Sequence, residues 1–106
     1  MSSRANPAGI HPLDRAAIEQ IVAPLLARRG GKLKLFGSRA RGDARRASDI
    51  DLALVGAQSF SPDELARARD ALENSRIPFR VDLVDYSAAS PALRASIDRE
   101  GIAWPA

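Results

Sequence analysis

The sequence predicts an α+β domain in which a small mixed β-sheet of about three strands is flanked by helices. Three short segments alternate apolar and polar residues, as half-buried strands do. The segments between and around them carry apolar residues at helical spacing, and serine-proline pairs precede two of them. The 106 residues suit one domain. We expect a flexible N-terminus over residues 1–9 and a folded unit over residues 10–106.

The first predicted helix covers residues 13–29, where apolar side chains recur every three or four positions. The glycine pair at 30–31 supplies the stop. Pro24 lies inside this segment and removes a backbone donor, so we expect either a kink there or two shorter helices.

Two more helices have recognisable start signals. Ser61 is followed by a proline and then by Glu64, which is a capping-box pattern, and the helix is expected to run to about Arg76. Ser90 and the proline after it predict the start of a last helix, which Gly101 closes.

The three predicted strands are KLKLF at 32–36, DIDLALV at 49–55 and FRVDLVDY at 79–86. Because successive side chains of a strand leave opposite faces, Asp49 and Asp51 share a face about 7 Å apart at their Cα atoms. Asp82 occupies the third strand and would point to the same place if the two strands are neighbours.

Composition limits the classes of function. The chain has no cysteine, which excludes disulfides and thiolate metal sites. It has no apolar run near the roughly 20 residues of a membrane helix and no signal-peptide core at its start, so we expect a cytoplasmic protein without a membrane partner.

Positive charge is concentrated in one stretch, residues 28–46, which contains a single acid, Asp43. Such a basic band predicts an anionic partner: a nucleic acid, a nucleoside triphosphate or an acidic protein face. Its members are Arg28, Arg29, Lys32, Lys34, Arg39, Arg41, Arg45 and Arg46.

The paired aspartates inside and beside this band indicate a cation site. Carboxylates that share one strand face repel each other unless a divalent cation lies between them, and hard oxygen ligands suit magnesium. With Asp82 they would form the three-carboxylate set of a two-metal phosphoryl or nucleotidyl transfer. A D-x-D pair alone is more often a solvated polar strand face.

The step at Gly37 and Ser38 supplies the other half of such a site. Glycine lets the backbone approach a phosphate closely, and serine offers a hydroxyl and an N–H. Arg39 and Arg41 could then neutralise the charge of the leaving group. The joint spacing of the glycine-serine step, the D-x-D pair and the third aspartate favours nucleotide and metal binding over a charged turn.

In the stretch GSRARGDARRASDID, a glycine-serine step is followed after ten residues by D-x-D. This pattern resembles the minimal nucleotidyltransferases of the DNA polymerase beta superfamily, and the likeness extends from KLKLFGS through VDLVD to LRASIDREGIAW. It implies their fold, with Asp49, Asp51 and Asp82 as catalytic ligands of two Mg²⁺ ions. Gly37 and Ser38 would hold the triphosphate of ATP.

The resemblance also implies a partner. Small members of the family are typically antitoxins for a HEPN-domain ribonuclease toxin, and they move AMP from ATP onto a tyrosine of that toxin. Two alternatives stay open: an antitoxin that only occludes its partner, and a nucleic-acid-binding module that uses Lys32, Lys34 and the arginines on phosphates.

Three other residues are expected to have structural roles. His11 precedes the first helix and is predicted to cap it or lie on the surface. Trp104 is predicted to pack on the core or on a partner. Asp85 lies on the strand face opposite Asp82 and is expected to be structural.

Overall fold

The computed structural model describes residues 9–42, 48–56 and 60–104. Over these residues the chain forms four helices, four strands and one turn of 3-10 helix. In chain order they are α1 at Pro12–Arg29, β1 at Lys32–Phe36, α2 at Ser38–Arg41, β2 at Ile50–Val55, α3 at Pro62–Glu73, β3 at Val81–Asp85, the 3-10 turn at Tyr86–Ala88, α4 at Pro91–Glu100 and β4 at Ile102–Ala103.

The strands form one mixed sheet in the order β3-β2-β1-β4, which confirms the predicted α+β class. Strand β1 pairs antiparallel with both β2 and β4. Strands β2 and β3 pair in parallel, because the connection through α3 returns the chain to the same end of the sheet. This parallel pair is the feature that positions the predicted site.

Helices cover both faces of the sheet. The larger apolar cluster joins α1 and α3 to one sheet face through Ile18, Leu35 and Leu52, none of which is exposed to solvent. A smaller cluster joins Ile97 of α4 to Phe36 and Ala53 on the other face. Burying each large apolar side chain of this kind contributes about 1.5–3 kcal/mol relative to leaving it in water.

Helix α1 is one continuous helix, so the alternative of two shorter helices is wrong. Pro24 lies on the exposed side of the helix, as does Gln20 four residues before it. The carbonyl that the proline leaves without a donor can therefore face water, which limits the cost of an interior proline.

Helix α3 ends at Glu73, three residues before the predicted end near Arg76. The Asn74 N–H makes the last regular bond of the helix, to Asp70 O, and the Ser75 hydroxyl then donates to Leu72 O at 2.6 Å. Serine competes for backbone carbonyls in this way near helix ends. Its start agrees with the sequence, since both bonds of the capping box are present.

The sequence does not predict two short elements, helix α2 and strand β4. The sequence signal of each is weak, since α2 has four residues and β4 has two. Strand β4 exists through its pairing with Lys34 and Leu35 of β1, a contact over nearly seventy positions of sequence.

Ile10, the first residue of the predicted folded unit, is buried in the larger apolar cluster, and the predicted boundary before it stays a prediction. Most of the segment predicted to be flexible, residues 1–8, lies outside the described residues. Among the described residues, no helix combines the length and the apolar character needed to cross a bilayer.

Candidate active site

Three of the predicted site residues, Gly37, Asp51 and Asp82, lie at one end of the sheet, where β1 ends and both β2 and β3 begin. Asp51 of β2 is in register with Asp82 of β3 on one side and with Phe36 of β1 on the other. Gly37 follows Phe36 directly. The condition that the two strands are neighbours is therefore met, and the pairing brings Asp51 and Asp82, 31 positions apart in sequence, side by side.

Gly37 is required by the space around Asp51. Its backbone has φ +79° and ψ −160°, a conformation that is essentially restricted to glycine. A Cβ atom at this position would overlap the carboxylate of Asp51. The turn from β1 into α2 thus passes directly against the carboxylate, which only a residue without a side chain permits.

Asp51 lies in an electrostatically unfavourable place for an anion. Burial raises the pKa of its carboxyl group above the ordinary value, and the neighbouring charges of Asp82 and Asp49 raise it further, while Arg41 opposes them. Like charges held close together disfavour ionisation. A bound cation would offset this repulsion and stabilise the charged form of Asp51.

The two other carboxylates are more open to solvent. Asp49 precedes β2 and is exposed, and Asp82 is exposed with a long ion pair of 3.8 Å to Arg80. Within residues 9–42, 48–56 and 60–104, no group of three acidic or histidine side chains is close enough to hold a metal ion. The convergence of all three carboxylates on magnesium stays a prediction.

The donor chemistry of the site nevertheless fits magnesium. Its carboxylate oxygens are hard ligands, and magnesium needs only one or two of them because it retains water and takes phosphate oxygens from a substrate. Asp51 and Asp82 supply one such pair, with Asp49 within electrostatic reach.

Arg39 is placed differently from the prediction that it contacts phosphate. Its side chain is buried, and its guanidinium donates to the backbone carbonyls of Ser48, at 2.7 Å, and Asp49, at 3.3 Å. It also stacks 4.8 Å from the ring centroid of Phe79. Burial lowers the pKa of Arg39, although nearby acids oppose this effect. Arg39 therefore holds the start of β2 and positions Asp49.

Arg41 lies on the site side of α2 and is exposed. Its Nη1 atom is 3.1 Å from Oε1 of Glu100, and it is close enough to Asp51 to affect that group's pKa. Ser38, the first residue of α2, is half-buried. These two residues remain the candidates for binding phosphate together with Gly37.

Glu100 is a site residue that sequence reasoning missed. Its Oε1 atom accepts a hydrogen bond from the Gly37 N–H at 3.2 Å, from 63 positions away in sequence. In the sequence, Glu100 lies directly before Gly101, which closes the helix, and this glutamate-glycine pair is the signal that could have identified it. Nothing in the pair itself indicates that the carboxylate reaches Gly37.

A groove of about 460 Å³ opens beside Asp82. Its lining combines apolar and charged residues of α3, of β3 and of the segment directly before β3, among them Arg69, Phe79 and Arg80. Asp82 is among the residues that line the groove.

The basic band does not form one continuous cationic face among the described residues. Arg28 and Arg29 both pair with Glu64, at 3.3 and 2.8 Å, and Arg41 pairs with Glu100. Arg39 is buried. The positions of Arg45 and Arg46 lie outside the described residues.

The three residues expected to be structural are confirmed as such. His11 caps α1 by accepting a hydrogen bond from Leu13 N–H on Nδ1 at 3.1 Å. Trp104 packs on the larger apolar cluster and donates from Nε1 to Glu19 at 2.9 Å. Asp85 is buried and accepts bonds from the backbone and hydroxyl of Ser87.

Comparison with known proteins agrees with this arrangement. Residues 31–103 match the family described as "Polymerase beta, Nucleotidyltransferase". A probable protein adenylyltransferase of Haemophilus influenzae, MntA, is 42% identical over 64 residues, which are 58% of this chain and 54% of that protein. The chain therefore spans about half the length of this relative.

Two solved structures share the fold. A toxin-antitoxin crystal structure with AMP-PNP has a TM-score of 0.63 and 28% identity, and the match covers 80% of this chain and 70% of that one. A structure described as a candidate minimal nucleotidyltransferase has a TM-score of 0.60 and 38% identity, with 83% and 89% covered.

Proposed function

Because the chain belongs to the polymerase beta nucleotidyltransferase family, we propose that it transfers AMP from ATP to a hydroxyl group of a partner toxin and thereby neutralises it. The partner is a HEPN-domain ribonuclease and the acceptor a tyrosine, as the resemblance to minimal nucleotidyltransferase antitoxins implies. MntA, described as a protein adenylyltransferase, and the toxin-antitoxin structure with AMP-PNP support the proposal.

The observation that carries the proposal is the pairing of Asp51 with Asp82 against Gly37. Burial and two neighbouring acids raise the pKa of Asp51, which is a cost to the folded protein unless a cation is bound. Perturbed carboxylates of this kind are concentrated at functional sites. A purely structural or nucleic-acid-binding role leaves the clustered acids unexplained, because they would repel a phosphate backbone.

In the proposed mechanism, Asp49, Asp51 and Asp82 hold Mg²⁺, which when bound offsets the negative charge of the phosphates. Ser38, Arg41 and the Gly37 turn hold the triphosphate with its α-phosphorus towards the carboxylates. The acceptor oxygen forms a bond to the α-phosphorus, and the bond from that phosphorus to the bridging oxygen breaks. Pyrophosphate leaves, and the acceptor proton passes to Asp82.

The groove beside Asp82 is the proposed entrance for the acceptor. It lies between α3 and β3, and β3 is the edge strand of the sheet that carries Asp82.

The decisive experiment incubates the protein with α-labelled ATP, Mg²⁺ and the protein encoded in the adjacent reading frame. We expect label on that protein, and at least about a hundredfold less with Asp51→Asn, since loss of a metal ligand removes several kcal/mol of transition-state stabilisation. Asp70→Asn, the same change at an exposed residue of α3, is the control.

Toxin activity measured in the same samples separates the alternatives. If Asp51→Asn neutralises the toxin as well as the unchanged protein does, the antitoxin acts by occlusion and the enzymatic proposal is wrong. If no label is transferred but RNA or DNA binds with a steep salt dependence and no need for Mg²⁺, the chain is a nucleic-acid-binding module.

A further inference from the structure

Glu100 connects the last helix to the predicted nucleotide site. One oxygen, Oε1, accepts the Gly37 N–H at 3.2 Å and lies 3.1 Å from Arg41 Nη1. The other oxygen is 3.8 Å from Nη2 of Arg99. The side chain of Glu100 is only 14% exposed. A single carboxylate thus bridges the glycine turn and one of the two arginines predicted to bind phosphate.

The fold holds Glu100 firmly from both sides. On the preceding turn of α4, Ile97 is completely buried against the sheet. On the following side, a Cβ atom at Gly101 would lie 2.5 Å from Ile97 O and 3.2 Å from Lys34 Cδ, so the chain passes through a gap that only glycine fits. Strand β4 then pairs with β1. The position of the carboxylate is therefore set by tertiary structure.

The Glu100 carboxylate lies among charges of both signs. Glu100 adds to the negative charge around Asp51, which already faces Asp82 and Asp49. Arg41 is within electrostatic reach of both Glu100 and Asp51. The ion pair with Glu100 at 3.1 Å therefore competes with the attraction of Asp51 for the Arg41 guanidinium.

We propose that Glu100 is a positioning residue of the nucleotide site: it orients the Gly37 peptide and holds Arg41 away from Asp51, ready for the triphosphate. This inference rests on the proposed function, because it assigns a role within the same site. In this role Glu100 acts through its contacts with Arg41 and with the backbone of Gly37.

The test uses two substitutions of Glu100 in the full chain. Glu100→Gln keeps an acceptor for the Gly37 N–H but loses the ion pair with Arg41, and Glu100→Ala loses both. We expect the Kd for Mg·ATP, measured by calorimetry, to rise about tenfold in Glu100→Gln, as loss of a charge-assisted bond implies, and further in Glu100→Ala. Asp70→Asn, with the same loss of one charge on α3, is expected to leave the Kd unchanged.

A double-mutant cycle separates positioning from a general effect on folding. In an Arg41→Ala background, Glu100→Gln is expected to have little further effect on the Kd, because the residue through which it acts is gone. A purely structural role would give additive losses instead and would overturn the assignment.

The remaining outcomes are distinguishable. If the unchanged protein binds Mg·ATP and Glu100→Gln binds it equally well or more tightly, the positioning role is wrong, and tighter binding would identify Glu100 as a competitor of phosphate. If the unchanged protein binds no nucleotide at all, the proposed function fails, and this assignment fails with it.

Discussion

Gly37 carries two separate constraints at the scale of single residues. Its φ of +79° is strained for any other residue, and a side chain there would collide with Asp51. Gly30 has nearly the same backbone conformation, φ 74° and ψ −168°, but nothing lies within 4 Å of the position of its missing Cβ. Substitutions at both glycines would strain the backbone, but only a substitution at Gly37 would also contact Asp51.

Gly37→Ala is expected to lose both stability and nucleotide transfer. Gly30→Ala is expected to lose a similar amount of stability, about 1–3 kcal/mol for a residue forced into this backbone region, and to retain transfer. Chemical denaturation and the labelled-ATP assay measure the two effects. Equal losses of transfer in both variants, once unfolded protein is accounted for, would mean that the contact with Asp51 has no role in the reaction.

The residue scale also shows how far sequence pattern reaches. Asp49 and Asp51 could be assigned to one strand face because the strand period is two. The inward direction of the Arg39 side chain could not be predicted from the sequence. The sequence pattern is the same whether the guanidinium faces phosphate or backbone carbonyls.

At the scale of elements, α1 and α3 are joined by Glu64. Its carboxylate completes the capping box of α3 by accepting from the Ser61 N–H at 3.0 Å. It also accepts from Arg29 at 2.8 Å and from Arg28 at 3.3 Å. The bond with Arg29, then the bond with Ser61, lower the pKa of Glu64 from 4.5 to about 2. One acid thus serves both a helix start and a helix-helix contact.

This contact predicts a dependence of stability on pH. Because the pKa of Glu64 is lower in the folded protein, its contribution is complete above the unfolded value of 4.5 and is lost as the pH falls through about 2. Glu64→Gln is therefore expected to lower the Tm at pH 6 and to make little difference near pH 2. Thermal unfolding across this range measures it.

Glu73→Gln at the exposed end of α3 is the matched control for charge. It should leave the Tm at pH 6 close to that of the unchanged protein. A Glu64→Gln variant with an unchanged Tm at pH 6 would show that the ion pairs with Arg28 and Arg29 contribute nothing measurable, as is common for exposed pairs.

At the scale of the whole molecule, the sheet order places the acids at one end of three strands. Gly37 directly follows β1, Asp51 lies in β2 and Asp82 in β3. Glu100 is the last residue of α4. Binding at a point where four elements meet should stabilise the entire fold, because the ligand binds only the folded state.

Mg·ATP is therefore expected to raise the Tm. At a concentration of 100 times Kd the stabilisation is about 2.7 kcal/mol, which for a domain of this size corresponds to a rise on the order of 10 °C. Differential scanning fluorimetry with Mg·ATP, with ATP and EDTA, and with Mg²⁺ alone measures the effect. An equal rise in Tm with ATP and EDTA would show that magnesium is not part of the proposed site. The Asp51→Asn variant is expected to show a much smaller rise in Tm with Mg·ATP.

The sequence by itself determined the local elements and the site motif. Strand alternation and helix caps act over two to four residues, which is the range that a sequence pattern describes, and the spacing of Gly37, Asp49 and Asp51 is likewise local. Only the tertiary structure decided that β2 and β3 are parallel neighbours, that Arg39 turns inward, that α1 continues through Pro24 and that Glu100 reaches Gly37. These depend on packing between segments far apart in the chain, whose free energy no local pattern contains.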